Sequence, residues 1–143
     1  MPNKDEAAHK FGVHKSDEEW FHELGAEAYY VLREKGTERP FINHYYKLND
    51  QGVYCCRGCE TPLFLSEAKY DSGSGWPAFY AALDPSKILE KRDTTHGMIR
   101  TEVMCAHCGG HLGHVFDDGP QPTGMRYCIN SASLHFVKAE SKK

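Results

Sequence analysis

Two CxxC pairs constrain this chain more than any other feature: Cys56-Arg-Gly-Cys59 and Cys105-Ala-His-Cys108, separated by 45 residues. Each follows an extended run, VYC before the first and EVMC before the second, and each precedes another. A strand–CxxC–strand hairpin is a zinc knuckle, and two knuckles complete a tetrahedral site of four thiolates. Such a site has no open position, so its metal is structural. Its binding energy becomes folding energy, on the order of 10 kcal/mol in small zinc modules. The first knuckle contains a third thiol, Cys55. Cys56 is preferred as ligand because Cys56/Cys59 repeats the spacing of Cys105/Cys108, and because neighbours on a strand face opposite ways. His107 is a substitute ligand that four thiolates make unnecessary. Four reduced core cysteines and a catalytic CxxC disulfide are the rival readings; two paired motifs favour metal.

The chain has 143 residues and a net charge of −3. That is length for one domain with its own core, and the acidic balance argues against a grip on nucleic acid. No apolar run approaches the roughly 20 residues that span a bilayer. The polar start, MPNKDEAAHKFGVHKSDEE, has no apolar signal segment, so we expect a cytoplasmic protein without membrane partners. In a reducing compartment six cysteines serve metal or redox chemistry rather than a disulfide framework.

Residues 1–15 read as a flexible tail and 16–143 as a single catalytic domain. Its helical cover spans 16–40 and its β core with the zinc site 41–140. Ser16 and Glu19 form a capping-box pattern. Trp20, Leu24, Ala28 and Val31/Leu32 recur at helical spacing; Gly25 interrupts the helix and Gly36 stops it. Beyond residue 41 short extended runs take over. HYYKL and VYCC around NDQG read as a hairpin, followed by TPLFL, MIRTEVM, GHVF, RYCI and SLHFV as strands. The expected class is mainly β, an antiparallel core with N-terminal helices packed on it.

Cys128 stands apart from the knuckles, in GMRYCINSASLHF. On a strand Arg126, Cys128 and Asn130 share one face. A guanidinium beside a thiol lowers its pKa, and the thiolate is the nucleophile. His111-Leu-Gly-His114 supplies imidazoles that titrate near neutrality. SGSGWPAF ends a flexible glycine run in Trp76-Pro77, able to present an indole as an apolar wall. Each piece has a plain alternative: a packed cysteine, surface histidines or a second metal site, a core tryptophan. Together they are the parts of a cysteine-dependent redox or transfer site.

Over about 36–137 the sequence resembles the B-type methionine sulfoxide reductases. The resemblance rests on KGTERPF, the two knuckles, YDSGSGWPAFY, HGMIR and HLGHVFDDGPQPTGMRYCINSASLHF. It implies two small antiparallel sheets flanked by N-terminal helices, and one structural Zn(2+) on Cys56, Cys59, Cys105 and Cys108. It implies reduction of methionine (R)-sulfoxide in peptides or proteins, as repair after oxidative damage. Cys128 would be the nucleophile and pass through a sulfenic acid. Trp76 would meet the sulfoxide methyl group, with Phe116 as further apolar wall. His111, His114, Arg126 and Asn130 would surround the reacting oxygen, the histidines as proton donors. The enzyme would be a monomer served by thioredoxin or another thiol.

The chain departs from many relatives in having Ser74 where they place a resolving cysteine. Three readings stay open: an external thiol reduces Cys128 directly, Cys55 resolves through a mobile loop, or the serine is an introduced substitution. Cys55 is expected to be dispensable. Two rivals to the reductase are a non-catalytic four-cysteine zinc binding module, which has no need of RYCIN or HLGH, and a thiol oxidoreductase using its CxxC directly.

Overall fold

In a computed structural model, residues 12–41 and 43–139 are described. Of the expected 1–15 tail, residues 1–11 lie outside them. Gly12 and Val13 both donate their N–H groups to the carbonyl of His107, in the second knuckle.

Helix α1 (Asp17–Leu24) begins on the expected capping box: Glu19 N–H donates to Ser16 Oγ at 3.1 Å and Ser16 N–H to Glu19 Oε1 at 2.9 Å. Gly25, at φ +83°, separates it from α2 (Ala26–Glu34). Trp20, Leu24, Ala28, Val31 and Leu32 are all buried. The expected stop at Gly36 is corrected by one residue. Lys35 takes the left-handed turn, at φ +60° and ψ +34°, which costs a side-chain-bearing residue about 1–2 kcal/mol. Gly36 serves another purpose: a Cβ there would lie 2.2 Å from the Tyr30 ring. Among the described residues no helix is long and apolar enough to cross a membrane.

Among the described residues nine strands follow: β1 (Gly52–Cys56), β2 (Pro62–Leu65), β3 (Lys69–Tyr70), β4 (Ala78–Phe79), β5 (Ile88–Asp93), β6 (Arg100–Cys105), β7 (His111–Phe116), β8 (Arg126–Ile129) and β9 (Leu134–Lys138). They form two antiparallel sheets, β2-β1-β9 and β3-β4-β8-β7-β6-β5. The sheets meet through aromatic rings. Phe64 of the small sheet stacks on Phe79 of the large one at 4.4 Å between centroids, and Tyr54 meets Phe79 edge-on at 5.2 Å.

The HYYKL hairpin does not form. Residues 44–47 are a turn, because β1 already has β2 on one edge and β9 on the other. The carbonyls of Tyr46 and Leu48 instead accept from Lys69 Nζ, at 3.0 and 2.9 Å. β3, β4 and β5 escaped the sequence reading: two have only two residues each, and β5, ILEKRD, is a charged edge strand.

Candidate active site

The four knuckle thiols converge. Sγ atoms of Cys56, Cys59, Cys105 and Cys108 all lie within 4.8 Å of one another, and Cys56–Cys108 and Cys59–Cys105 are 3.6 and 3.5 Å apart. A tetrahedral ion with bonds of about 2.3 Å to sulfur needs sulfur–sulfur edges of about 3.8 Å. The set therefore fits such an ion with small adjustment. Cys55 is not in the cluster; it is buried on β1 between Pro62 and His135. Trp20 of α1 lies over the first knuckle beside Gly58, and Leu32 of α2 over the second beside Gly110.

Cys128 lies in the large sheet, paired with His114 on β7 and Ala78 on β4. Phe116 pairs with Arg126 two residues along the same ladder. Cross-strand partners share a face, so His114, Phe116, Arg126 and Cys128 form one cluster. A pocket of about 140 Å³ opens there, lined by Trp76, His114, Phe116, Arg126, Cys128 and Asn130 among others. Six of the seven non-metal residues expected from sequence thus come together. His111 does not line the pocket.

His111 is placed instead behind His114. Two residues three apart on a regular strand face opposite ways, but β7 carries a register shift against β6 between Val103 and Met104. Glu102 pairs with His114 and Met104 with His111, so both imidazoles emerge on one face, 5.6 Å apart and edge-on. Bulges commonly re-aim side chains near active sites.

The loop after α2 supplies the indole's support. Trp76 Nε1 donates to the Glu38 carbonyl at 3.1 Å, and the Glu38 N–H donates to Asn130 Oδ1 at 3.2 Å. The Glu38 carboxylate accepts from the N–H groups of Ser131 and Ala132, fixing the turn after Cys128. Asn130 Nδ2 donates to the Leu112 carbonyl at 3.1 Å. Asn130 is therefore a strut as well as pocket lining.

Burial pushes the Cys128 thiol up, and the Ser74 hydroxyl at 3.9 Å and the Arg126 charge offset this only in part. Asp118 binds the guanidinium through two hydrogen bonds of 2.8 and 3.1 Å. Arg126 also stacks on Phe116 at 4.3 Å. Its charge is shared between that carboxylate and the sulfur. Burial likewise pushes His114 down, against the pull of Asp93.

Sequence reasoning missed Thr37, Arg100, Gly113 and Ile129 in the lining, and Glu38, Asp93, Glu102 and Asp118 behind it. The one available signal was a charged residue inside an apolar strand, as Glu102 is in RTEVMC.

Residues 24–138 match the model of the SelR domain. The chain is 59% identical over 128 residues to the peptide methionine sulfoxide reductase MsrB of Hahella chejuensis, covering 90% of this chain and 92% of that one. It is 56% identical to the MsrB of Leptospira interrogans over 90% and 98% of the two chains, and 55% identical to that of Agrobacterium fabrum over 87% and 92%. A domain match over most of the chain, with relatives matched over nearly their full length, leads to one conclusion: the chain belongs to the SelR-domain family of B-type methionine sulfoxide reductases and is an enzyme of that family.

Proposed function

We propose that the enzyme reduces methionine (R)-sulfoxide in peptides or proteins, with Cys128 as nucleophile. The observation that carries this reading is a single thiol facing His114 across a β ladder in a pocket that also holds Trp76 and Phe116. A volume of about 140 Å³ suits a methyl sulfoxide group rather than a whole side chain with its backbone.

The chemistry follows from the groups present. Oxide is a poor leaving group, so the sulfoxide oxygen must gain a proton before sulfur accepts electrons. His114 binds Asp93 through Nε2, which leaves Nδ1 to deliver that proton. The Cys128 thiol, held up by burial, passes its proton to His114 as its sulfur attacks, replacing the one given to the oxygen. The S–O bond to the substrate sulfur breaks as an S–O bond to Cys128 forms, so methionine leaves and Cys128 becomes a sulfenic acid. Two external thiol equivalents then return Cys128–SOH to the thiol, releasing water and a disulfide. A fixed methyl wall at Trp76 and a fixed oxygen site at His114 admit one configuration at tetrahedral sulfur, consistent with one enzyme class per epimer.

Ser74 has no sulfur to close a disulfide on Cys128, and Cys55 is buried in the other sheet. Thioredoxin or another external thiol is therefore the reductant. Zn(2+) is the metal that suits four thiolates closed off from substrate; bound there it would fasten the two knuckles together and take no part in catalysis.

The test is reduction of each epimer separately by wild type and Cys128→Ser, with dithiothreitol as donor. Wild type consumes the R epimer and leaves the S; the variant consumes neither. Equal turnover of both epimers, or activity surviving in Cys128→Ser, overturns the reading.

A further inference from the structure

Behind His114 lies a charged layer that the reaction as written does not use. Asp93 ends β5 and Glu102 is in the middle of β6; each residue is 2% exposed. Asp93 Oδ2 binds His114 Nε2 at 2.8 Å and Glu102 Oε2 binds His111 Nδ1 at 2.6 Å. The other oxygen of each faces the same cation: Lys35 Nζ is 3.3 Å from Asp93 Oδ1 and 3.3 Å from Glu102 Oε1. Glu102 Oε1 has no aligned hydrogen bond, so the charge of Lys35 is what balances it. Lys35 reaches this point from a left-handed cap that favours glycine, and the next residue is a glycine. A sequence selected for the helix end alone would not put the lysine there.

We propose that Lys35, Asp93 and Glu102 are positioning residues for sulfoxide reduction, a lysine-bridged carboxylate pair that orients the two histidines and sets how readily His114 holds its proton. The proposal rests on the reading of His114 as proton donor to the substrate oxygen. Asp93 fixes which ring nitrogen is free. Glu102 holds His111 edge-on against the same ring, limiting its rotation. Lys35 bridges the two buried carboxylates, and its positive charge opposes their pull on the His114 proton.

The groups facing His114 come from five directions: Asp93 on β5, Arg100 and Glu102 on β6, His111 on β7 itself, Cys128 and Arg126 on β8, and Lys35 at the end of α2. Negative neighbours favour the imidazolium and positive ones disfavour it. Removing Asp93's charge and removing Lys35's charge therefore displace His114 in opposite senses.

That opposition is the test. Single-turnover reduction of N-acetyl-methionine (R)-sulfoxide is followed against pH for wild type, Lys35→Met, Lys35→Arg, Asp93→Asn and Glu102→Gln, with folding checked by circular dichroism. Asp93→Asn moves the basic limb of the rate profile to lower pH and lowers the maximal rate by about a hundredfold, the scale of a positioned proton donor. Lys35→Met, which keeps the aliphatic stem, moves the same limb to higher pH, and Lys35→Arg restores it. KM changes little in all of them. Asp93 also receives Thr95 N–H and Oγ1, so Asp93→Asn is the variant most exposed to misfolding; Glu102→Gln then replaces it, with a limb again displaced opposite to that of Lys35→Met. Limbs that coincide with wild type in folded variants, that move the same way, or that leave only KM altered overturn the proposal. Cys128→Ser separates this from failure of the underlying reading: if that variant still turns over, the reading itself has failed and the limbs are not interpreted.

Discussion

The chain uses cysteine in two opposite ways at its two working regions. In the knuckles four thiols crowd within 4.8 Å, each supplied by a tight turn between neighbouring strands. At the pocket one thiol stands alone, and what surrounds it comes from the loop after α2, the loop before β4 that carries Ser74 and Trp76, and β5, β6, β7 and β8. The first arrangement is a local motif made twice and joined once. The second depends on the registers of an entire sheet. Sulfur crowded by three other thiols suits a closed structural site; sulfur facing an open pocket with an imidazole across the ladder is accessible for chemistry.

The comparison breaks most visibly under exchange of one sulfur in each region. Cys105→Ser removes one thiol from the four-cysteine cluster; a metal held there, as proposed, would contribute on the order of 10 kcal/mol to folding, and the variant is then expected to lose its cooperative thermal transition. Cys128→Ser abolishes reduction while its Tm stays within a few degrees of wild type. A folded Cys105→Ser protein, or an unfolded Cys128→Ser one, would erase the distinction between the regions.

A smaller effect tests how tightly the pocket depends on sheet register. Gly113 lies opposite Ile129, and a Cβ there would lie 2.0 Å from the carbonyl oxygen of Cys128. Both atoms are backbone-fixed, so Gly113→Ala forces β7 and β8 apart, costing about 1–3 kcal/mol in denaturant titration and most of the activity. Unchanged stability and activity would mean the ladder yields more easily than its geometry implies.

Smaller again is the charge on sulfur. Asp118 neutralises Arg126 and itself opposes the Cys128 thiolate. Asp118→Asn therefore lowers the thiol's pKa, and iodoacetamide labels Cys128 several-fold faster at neutral pH. A slower or unchanged rate would show that Arg126 is held for its stacking on Phe116 rather than restrained by Asp118.

Cys55→Ser is expected to do least. Cys55 is buried on β1, outside both sulfur groups, and burial pushes its thiol up. Multi-turnover reduction with thioredoxin is expected to match wild type. A collapse of turnover with the first turnover intact would instead make it the resolving thiol.

How much of this could be read beforehand follows the same division. The knuckles were legible because spacing within a turn is written in consecutive residues. The capping box at Ser16 and the break at Gly25 were legible for the same reason. HYYKL looked like a strand because its composition fits one; it is a turn because β1 has no free edge left. Lys35 rather than Gly36 takes the left-handed position because Lys35's side chain has two buried carboxylates to reach and Gly36 has the Tyr30 ring to avoid.

The sequence by itself determined the four paired cysteines, the lone thiol at Cys128 and the residue types around it, since these are matters of identity and short spacing. Only the tertiary structure decided that His111 and His114 share a face, that Asp118 claims Arg126, and that burial pushes the Cys128 thiol up. Those outcomes depend on a register shift, on a neighbour eight residues away and on the exclusion of water. Each is set by how strands pack against one another, and none is fixed by the order of residues along a single strand.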